Sequence, residues 1–285
     1  MVGKTRDGKI FIISECHVRI QANNLENNVI PQNGEQLEIA GKTDIGHKRI
    51  LNEDNLCFSQ ELGLAIIADG MGGHEAGEVA SRLAIDELHS SIAQQGEVCL
   101  EDNCAGYRHY HTKSTEVIRD SICAAGEKIH ALNRERGHSD GMGMGTTLVA
   151  AIVDVASRRL TFANVGDSRL YRYRNGVLEQ LTVDHTAYQV WLDTGRKGPA
   201  PKKNIILRAL GPWPSTNIDI GTTNLISGDI LLMCSDGLHD WVSDNAIQNV
   251  LAYMGCVKAG CEALINLAND QAGKDNVSVI LMRYN

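Results

Sequence analysis

Apolar and polar positions follow two rhythms along this chain. Short runs rich in β-branched residues recur at 62–68, 147–154 (TLVAAIVD), 159–165 (RLTFANV), 169–174 (RLYRYR), 229–234 (DILLMC) and 276–282 (NVSVILM), and these read as strands. Apolar residues at three- and four-residue spacing predict helices over 76–93, 114–135, 244–252 and 258–271. Ser243 or Asp244 can cap the third of these. Asn175-Gly176 between two strand-like segments is a hairpin signal. Strands come in consecutive pairs, and so do helices. That order favours antiparallel sheet with helices packed outside it over a β-α-β alternation. Residues 1–20 hold one more strand-like run (KIFIISECHVRI), and 21–36 (QANNLENNVIPQNGEQ) read as a loop. The expected organisation is an amino-terminal extension and linker over 1–36 and one domain over 37–285, with no internal repeat.

Bulk properties narrow the function. The 285 residues are enough for a substantial core without disulfides or structural metal. A net charge of −8 argues against a general grip on nucleic acid or anionic lipid. The eight cysteines include no C-x-x-C pair. Cys57 and Cys234 sit in apolar runs, as buried free thiols do. Cys99/Cys104, followed by His109 and His111, are spaced more loosely than structural zinc ligands. The expectation is a cytoplasmic protein with reduced thiols, no secretory signal and no span long enough to cross a bilayer.

Carboxylates stand where the strands meet loops. Asp69-Gly70 follows LAIIA, Asp167-Ser168 follows TFANVG, and Asp236-Gly237 follows LLMCS. Asp275-Asn276 opens into VSVILM, and Glu53-Asp54 precede the run NLCF. Any one of these is explained as a turn residue. Together they have a different consequence if the strand ends share one rim. Crowded carboxylates raise one another's pKa and stay ionised when cations sit between them. An all-oxygen site without a His or Cys cluster selects hard ions, Mg²⁺ or Mn²⁺. In that reading Asp69 bridges two ions, Gly70 offers its carbonyl, and the neighbouring glycines let backbone approach closely. Two such ions activate a shared water and clamp the oxygens of an in-line displacement, typically at a phosphate ester. Arg49, in HKRILNED, has the fork that a phosphoryl group needs, unless it is simply a surface arginine.

The segments TDIGHKRILNED, LAIIADGMGGHEAGEVAS, GMGTTLVAAIVD, FANVGDSRLYRYRNGVLEQLTVDHT, LLMCSDGLHD and GKDNVSVILM carry a resemblance. In order and spacing the chain resembles the metal-dependent protein phosphatases, the PPM or type 2C class, over roughly residues 37–284, with the DGMGGH form of the bacterial branch. The resemblance implies an α+β fold: a four-layer α-β-β-α sandwich, two central antiparallel β-sheets flanked by antiparallel helix pairs. It also implies hydrolysis of phosphoserine and phosphothreonine in proteins by a metal-bridged hydroxide, at a centre of two Mn²⁺ or Mg²⁺ ions with a weaker third. Position by position, Asp54, Asp69, Asp236 and Asp275 match the metal-binding carboxylates, with the Gly70 carbonyl beside them. Glu53 matches a neighbour that acts through bound water. Asp167 matches the ligand that shares the third ion with Asp236, and Arg49 matches the phosphate-binding arginine.

Three features depart from the pattern. Where many eukaryotic relatives have a His after Asp-Gly, proposed as general acid, this chain has Met71. The first histidine is His74, which leaves His74 or a metal-bound water as proton donor, a role worth roughly 10²–10⁴ in rate. The catalytic set is then Arg49, Asp69, Asp236 and His74. The flap after DHT, at about 185–207, is short. Residues 1–30 and 97–113 (EVCLEDNCAGYRHYHTK) are additions.

Other signals weigh less. Arg196, Lys197, Lys202 and Lys203 make a basic cluster in the flap, read either as a solvated loop or as attraction for an acidic phosphopeptide. His185 shapes the flap base, and Trp191, Trp213 and Trp241 read as packing residues. GMGMG at 141–145 lacks dinucleotide-loop spacing and reads as tight packing. The expected function is an active phosphatase that opposes a cognate Ser/Thr kinase, acting as a monomer on phosphorylated proteins, with no nucleic-acid or membrane partner. The alternative is a non-catalytic phosphoprotein-binding regulator on the same fold, which would lack a metal carboxylate; none is missing. A two-metal nuclease is opposed by the acidic charge and the absence of a basic groove pattern.

Overall fold

The structure, a computed structural model, describes residues 37–72, 76–101 and 108–285. The strand expected within 1–20, the linker, His74 and the middle of the 97–113 addition lie outside the described residues.

The chain opens with three strands, β1 (Leu37–Asp44), β2 (Asp54–Ser59) and β3 (Leu64–Met71), then two long helices, α1 (Ala76–Glu101) and α2 (Arg108–Glu135). Five strands follow: β4 (Gly145–Thr146), β5 (Leu148–Asp154), β6 (Arg159–Val165), β7 (Arg169–Arg174) and β8 (Val177–Gln180). The flap contributes α3 (Ala187–Asp193). The chain ends with β9 (Asp219–Asn224), β10 (Asp229–Cys234), α4 (Asp236–His239), α5 (Asp244–Tyr253), α6 (Val257–Gln271) and β11 (Val277–Tyr284).

All ladders are antiparallel. One sheet has the order β1-β11-β10-β7-β8; the other runs β2-β3-β5-β6-β9, with β4 on the end of β3. The two-residue period of the strands builds the layers. Leu64, Ile66 and Ala68 of β3, with Leu148, Ala150 and Ile152 of β5, pack against α1 and α2 through Leu88, Ile92, Ile118 and Ile122. The intervening Ala65, Ile67, Val149 and Ala151 face the other sheet and meet Leu231, Met233, Ile280 and Met282. The opposite faces of those last strands, through Leu232, Val279 and Leu281, bury Ile247, Leu251, Leu264 and Ile265 of α5 and α6. The result is the expected four-layer α-β-β-α sandwich. Strands buried on both faces read as nearly continuous apolar runs, which is why β3, β5, β10 and β11 stand out in the sequence.

Local chemistry sets the connections. Asn175 and Gly176 both have positive φ (51° and 79°), the requirement of a type I′ turn, so β7 and β8 form the predicted hairpin. Ser243, not Asp244, caps α5, its side chain accepting from the Ala246 amide. α1 runs on to Glu101, eight residues past the end of the helix expected over 76–93. Cys57 and Cys234 are buried cysteines as expected, Cys261 is buried as well, and Cys123 and Cys256 are exposed. Among the described residues no helix is long and apolar enough to cross a membrane.

Candidate metal centre

Two ladders bring the carboxylates together. In the β2–β3 ladder Asp54 stands directly opposite Asp69. In the other sheet Cys234 of β10 pairs with Val279 of β11, so Ser235 and Ser278 adjoin at the end of the ladder, joined by Ser235 N–H to the Ser278 carbonyl at 3.1 Å. One residue beyond Ser235 is Asp236; just before β11 comes Asp275. A Cβ added to Gly237 would lie 1.9 Å from the Asn276 carbonyl oxygen, so only glycine lets the Asp236 turn seat against the Asp275 turn. Gly70 and Gly77 do the same for the other sheet. A Cβ on Gly70 would meet the Gly77 carbonyl oxygen at 2.1 Å, and the close approach sets the start of α1 against the end of β3.

Serine and threonine hydroxyls hold these groups. Ser235 Oγ and Ser278 Oγ lie 2.7 and 2.8 Å from Asp54 Oδ2, joining the two sheets at the site. The Asp69 backbone is pinned by the Gly-Thr-Thr segment at β4: its carbonyl accepts from Thr146 Oγ1 and the Thr147 N–H, each at 2.9 Å. Thr147 Oγ1 in turn lies 2.7 Å from Ser168 Oγ, next to Asp167. The Asp167 carbonyl accepts from His239 Nε2 at 3.0 Å, and burial pushes that imidazole down to about 3, so it is neutral and carries its proton on Nε2. The flap base is tied in by His185. Its Nδ1 accepts from the Gly166 N–H at 3.1 Å, which leaves the proton on Nε2, 3.0 Å from Asp219 Oδ2. Arg208 also reaches Asp219, at 2.8 Å.

The electrostatics are those of crowded anions. Burial, then the charges of Asp54, Asp236, Asp167 and Asp275, hold the Asp69 carboxyl well above the ordinary carboxylate range. Asp236 is raised well above that range by burial and by Asp167, Asp275 and Asp54. Burial lifts Asp54 to about 6 against the pull of the Ser235 and Ser278 hydroxyls. Asp167 rises to about 7, chiefly through burial and then Asp184. Arg49, about half exposed, donates from one terminal nitrogen to the Asp275 carboxylate at 2.8 Å.

This donor set fits hard divalent ions. Asp54 Oδ1, Asp167 Oδ1 and Glu53 Oε1 are buried without a hydrogen-bond partner. Buried anionic oxygens without donors are costly unless a cation satisfies them. Among the described residues no three His, Cys, Asp or Glu side chains close into a cage by themselves. An ion that keeps several waters, as Mg²⁺ does, needs no such cage.

The geometry thus gathers Asp54, Asp69, Asp167, Asp236 and Asp275 into one electrostatic cluster, with Glu53 and Gly70 joined to it by the Gly70 N–H to Glu53 carbonyl bond at 3.1 Å. His74 lies outside the described residues. Ser235, Ser278, Thr147, Ser168 and Asn276 also belong to the site, though no motif in the sequence singles them out. Asn276 bonds the Glu53 amide and the Ile45 and Leu51 carbonyls, closing the loop that carries Arg49. The signal was present, since most of these small hydroxyl or amide residues lie next to a carboxylate in sequence.

Residues 43–271 match the family described as Protein phosphatase 2C. A serine/threonine phosphatase, stp, of Listeria innocua is 35% identical over 252 residues, which is 86% of this chain and 94% of the relative. The crystal structure of the Mycobacterium tuberculosis serine/threonine phosphatase PstP/Ppp has a TM-score of 0.73 at 34% identity, over 87% of this chain and 98% of that one. The catalytic domain of PstP in complex with two manganese ions also has a TM-score of 0.73 at 34% identity, over 88% and 99% of the two chains.

Proposed function

Given that this chain belongs to the protein phosphatase 2C family and is a protein-serine/threonine phosphatase, we propose that Asp54, Asp69, Asp236 and Asp275, with the Gly70 carbonyl, hold two Mn²⁺ or Mg²⁺ ions. Asp167 and Asp236 take a weaker third ion, and Glu53 acts through water. The manganese-bound PstP structure supports this reading. So does the one observation that carries it: Asp54 faces Asp69 across a ladder, with a buried oxygen that no protein group satisfies.

When bound, such ions lower the pKa of a water and polarise the phosphoryl oxygens. The protein residues do the rest. Ser235 and Ser278 fix the orientation of Asp54, so the carboxylate keeps its second oxygen for the ion side. The Gly-Thr-Thr segment fixes the Asp69 backbone. Arg49 presents its guanidinium at the rim, held by Asp275, and binds the phosphoryl oxygens of the substrate. His74 or water returns the proton to the leaving serine or threonine oxygen. The substrates are proteins phosphorylated by a cognate Ser/Thr kinase, and the enzyme reverses that step by hydrolysing the phosphoester to inorganic phosphate and the free hydroxyl.

The test is phosphate release from a phosphothreonine peptide, with and without Mn²⁺, by wild type and by Asp236→Ala. The expected result is release that needs the ion and is lost in the variant. Release indifferent to both would refute the assignment.

A further inference from the structure

A cavity of about 350 Å³ opens between the flap and the carboxylate cluster. Asp236, Asp240 and Asp275 line it together with Lys202, Lys203 and Asn204 of the flap. Trp241 also lines it, and Lys274 lies over the Trp241 ring at 4.4 Å from the centroid. A volume of this size is about 7 Å across, the rise of about two residues of extended chain. A phosphoryl group beside Asp236 and Asp275 therefore puts the residue next to it, or the one after, within reach of the two lysines that line the same cavity.

The lysines sit on a braced loop. The two arms of the flap pair through the Thr186–Ile206 bridge, with Ala187 N–H to the Ile205 carbonyl at 2.9 Å and Leu207 N–H to the His185 carbonyl at 2.7 Å. Lys203 Nζ lies 5.6 Å from the Tyr188 ring centroid, and Tyr188 packs on Trp191 at 5.5 Å. Trp191 Nε1 donates to the Gly198 carbonyl at 3.1 Å. Among the described residues neither Lys202 nor Lys203 forms an ion pair. The charge of Lys203 is felt inside the cavity, where it opposes the effect of burial on the carboxyl of Asp240. A chain of net charge −8 repels an acidic peptide over most of its surface, so a local cation pair beside the reacting end discriminates where the rest does not.

We propose that Lys202 and Lys203 form a specificity subsite that selects phosphoproteins with an acidic side chain one or two positions from the phosphorylated residue. The proposal rests on the phosphatase assignment above. Charge-assisted contacts of this kind fix the flanking residue in the ground state and the transition state alike, so the preference lies in KM.

The test uses the full chain with Mn²⁺ and three phosphothreonine peptides of equal length, alike except for Asp, Ala or Lys at the two positions on each side. A small aryl phosphate serves as control for the wild type. The wild type is expected to favour the Asp peptide over the Lys peptide by about 10-fold in kcat/KM, through KM, with the preference shrinking as salt rises. In Lys202→Glu/Lys203→Glu the order of the peptides is expected to reverse, and in Lys202→Arg/Lys203→Arg to persist. Equal treatment of the three peptides by the wild type, or an unchanged preference in the glutamate variant, overturns the subsite. Turnover of the aryl phosphate without peptide preference overturns the subsite alone. No turnover of any substrate overturns the phosphatase assignment, and the subsite with it.

Discussion

Asp54 and Asp69 face one another across the β2–β3 ladder, one at the start of its strand and the other near the end of its own. Like charges directly opposite each other destabilise a sheet. Here the charges of Asp236, Asp167 and Asp275 add to the strain. The fold therefore keeps a locally unfavourable cluster at the meeting of its two sheets, which is the signature of a site built for cations.

Relieving that repulsion should stabilise the ion-free protein. Asp69→Asn is expected to unfold about 2–6 °C higher than wild type in a chelator, corresponding to about 1–2 kcal/mol, while its phosphatase activity is lost. Thermal unfolding followed by circular dichroism measures the first effect, and phosphate release measures the second. A variant no more stable than wild type would contradict the electrostatic reading.

The same carboxyls set a pH dependence. Asp54 rises from 3.8 to about 6 and Asp167 to about 7, each chiefly through burial. Groups that bind protons more tightly in the folded state contribute stability below the unfolded pKa, and that contribution is lost as pH rises to the folded value. Stability of the ion-free protein should thus fall between about pH 4 and about pH 7, the Asp54 displacement alone being worth about 3 kcal/mol. Adding Mn²⁺ at pH 7 should restore it. Urea titrations at half-unit pH steps, with and without the ion, supply the check; flat stability across that window would count against it.

Ser235 and Ser278 act on Asp54 from the second sheet. Replacing either by Ala removes a donor that orients the carboxylate and lowers its proton affinity. The expected outcome is a Mn²⁺ requirement raised about 10- to 100-fold, with activity recovered at high ion concentration. Activity against free Mn²⁺ for each variant measures the shift.

Gly237 offers a steric test. Gly237→Ala places a Cβ against the Asn276 backbone and parts the Asp236 turn from the Asp275 turn, at an expected cost of about 1–3 kcal/mol and most of the activity. Gly255, with nothing within 4 Å of its Cβ position, serves as the matched control and should tolerate Ala. Equal denaturation midpoints for the two variants would remove the packing role assigned to Gly237.

The sequence exposes some of this better than the rest. β3, β5, β10 and β11 are sandwiched between layers, so their runs are apolar throughout and easily read. β1 and β9 are edge strands, half in solvent, and β9 (DIGTTN) carries no large apolar residue except Ile220. Without a clear alternation neither declares itself. The carboxylates are legible only together: one Asp at the end of an apolar run is an ordinary turn residue, but five such junctions in one chain point to a shared rim. The hydroxyls that hold them are not, since Ser and Thr near strand ends are common in any loop. Glycines 70 and 77 read as room for an ion, whereas their first role is to let α1 meet β3 backbone to backbone. Trp241 reads as packing but lines the cavity and is over a third exposed, at 37%.

The most direct test is anomalous diffraction from crystals of the full chain soaked in Mn²⁺. The account predicts two strong peaks beside Asp69, shared with Asp54, Asp236 and Asp275, and a weaker one between Asp167 and Asp236. Manganese ordered elsewhere, with these carboxylates unliganded, would contradict it.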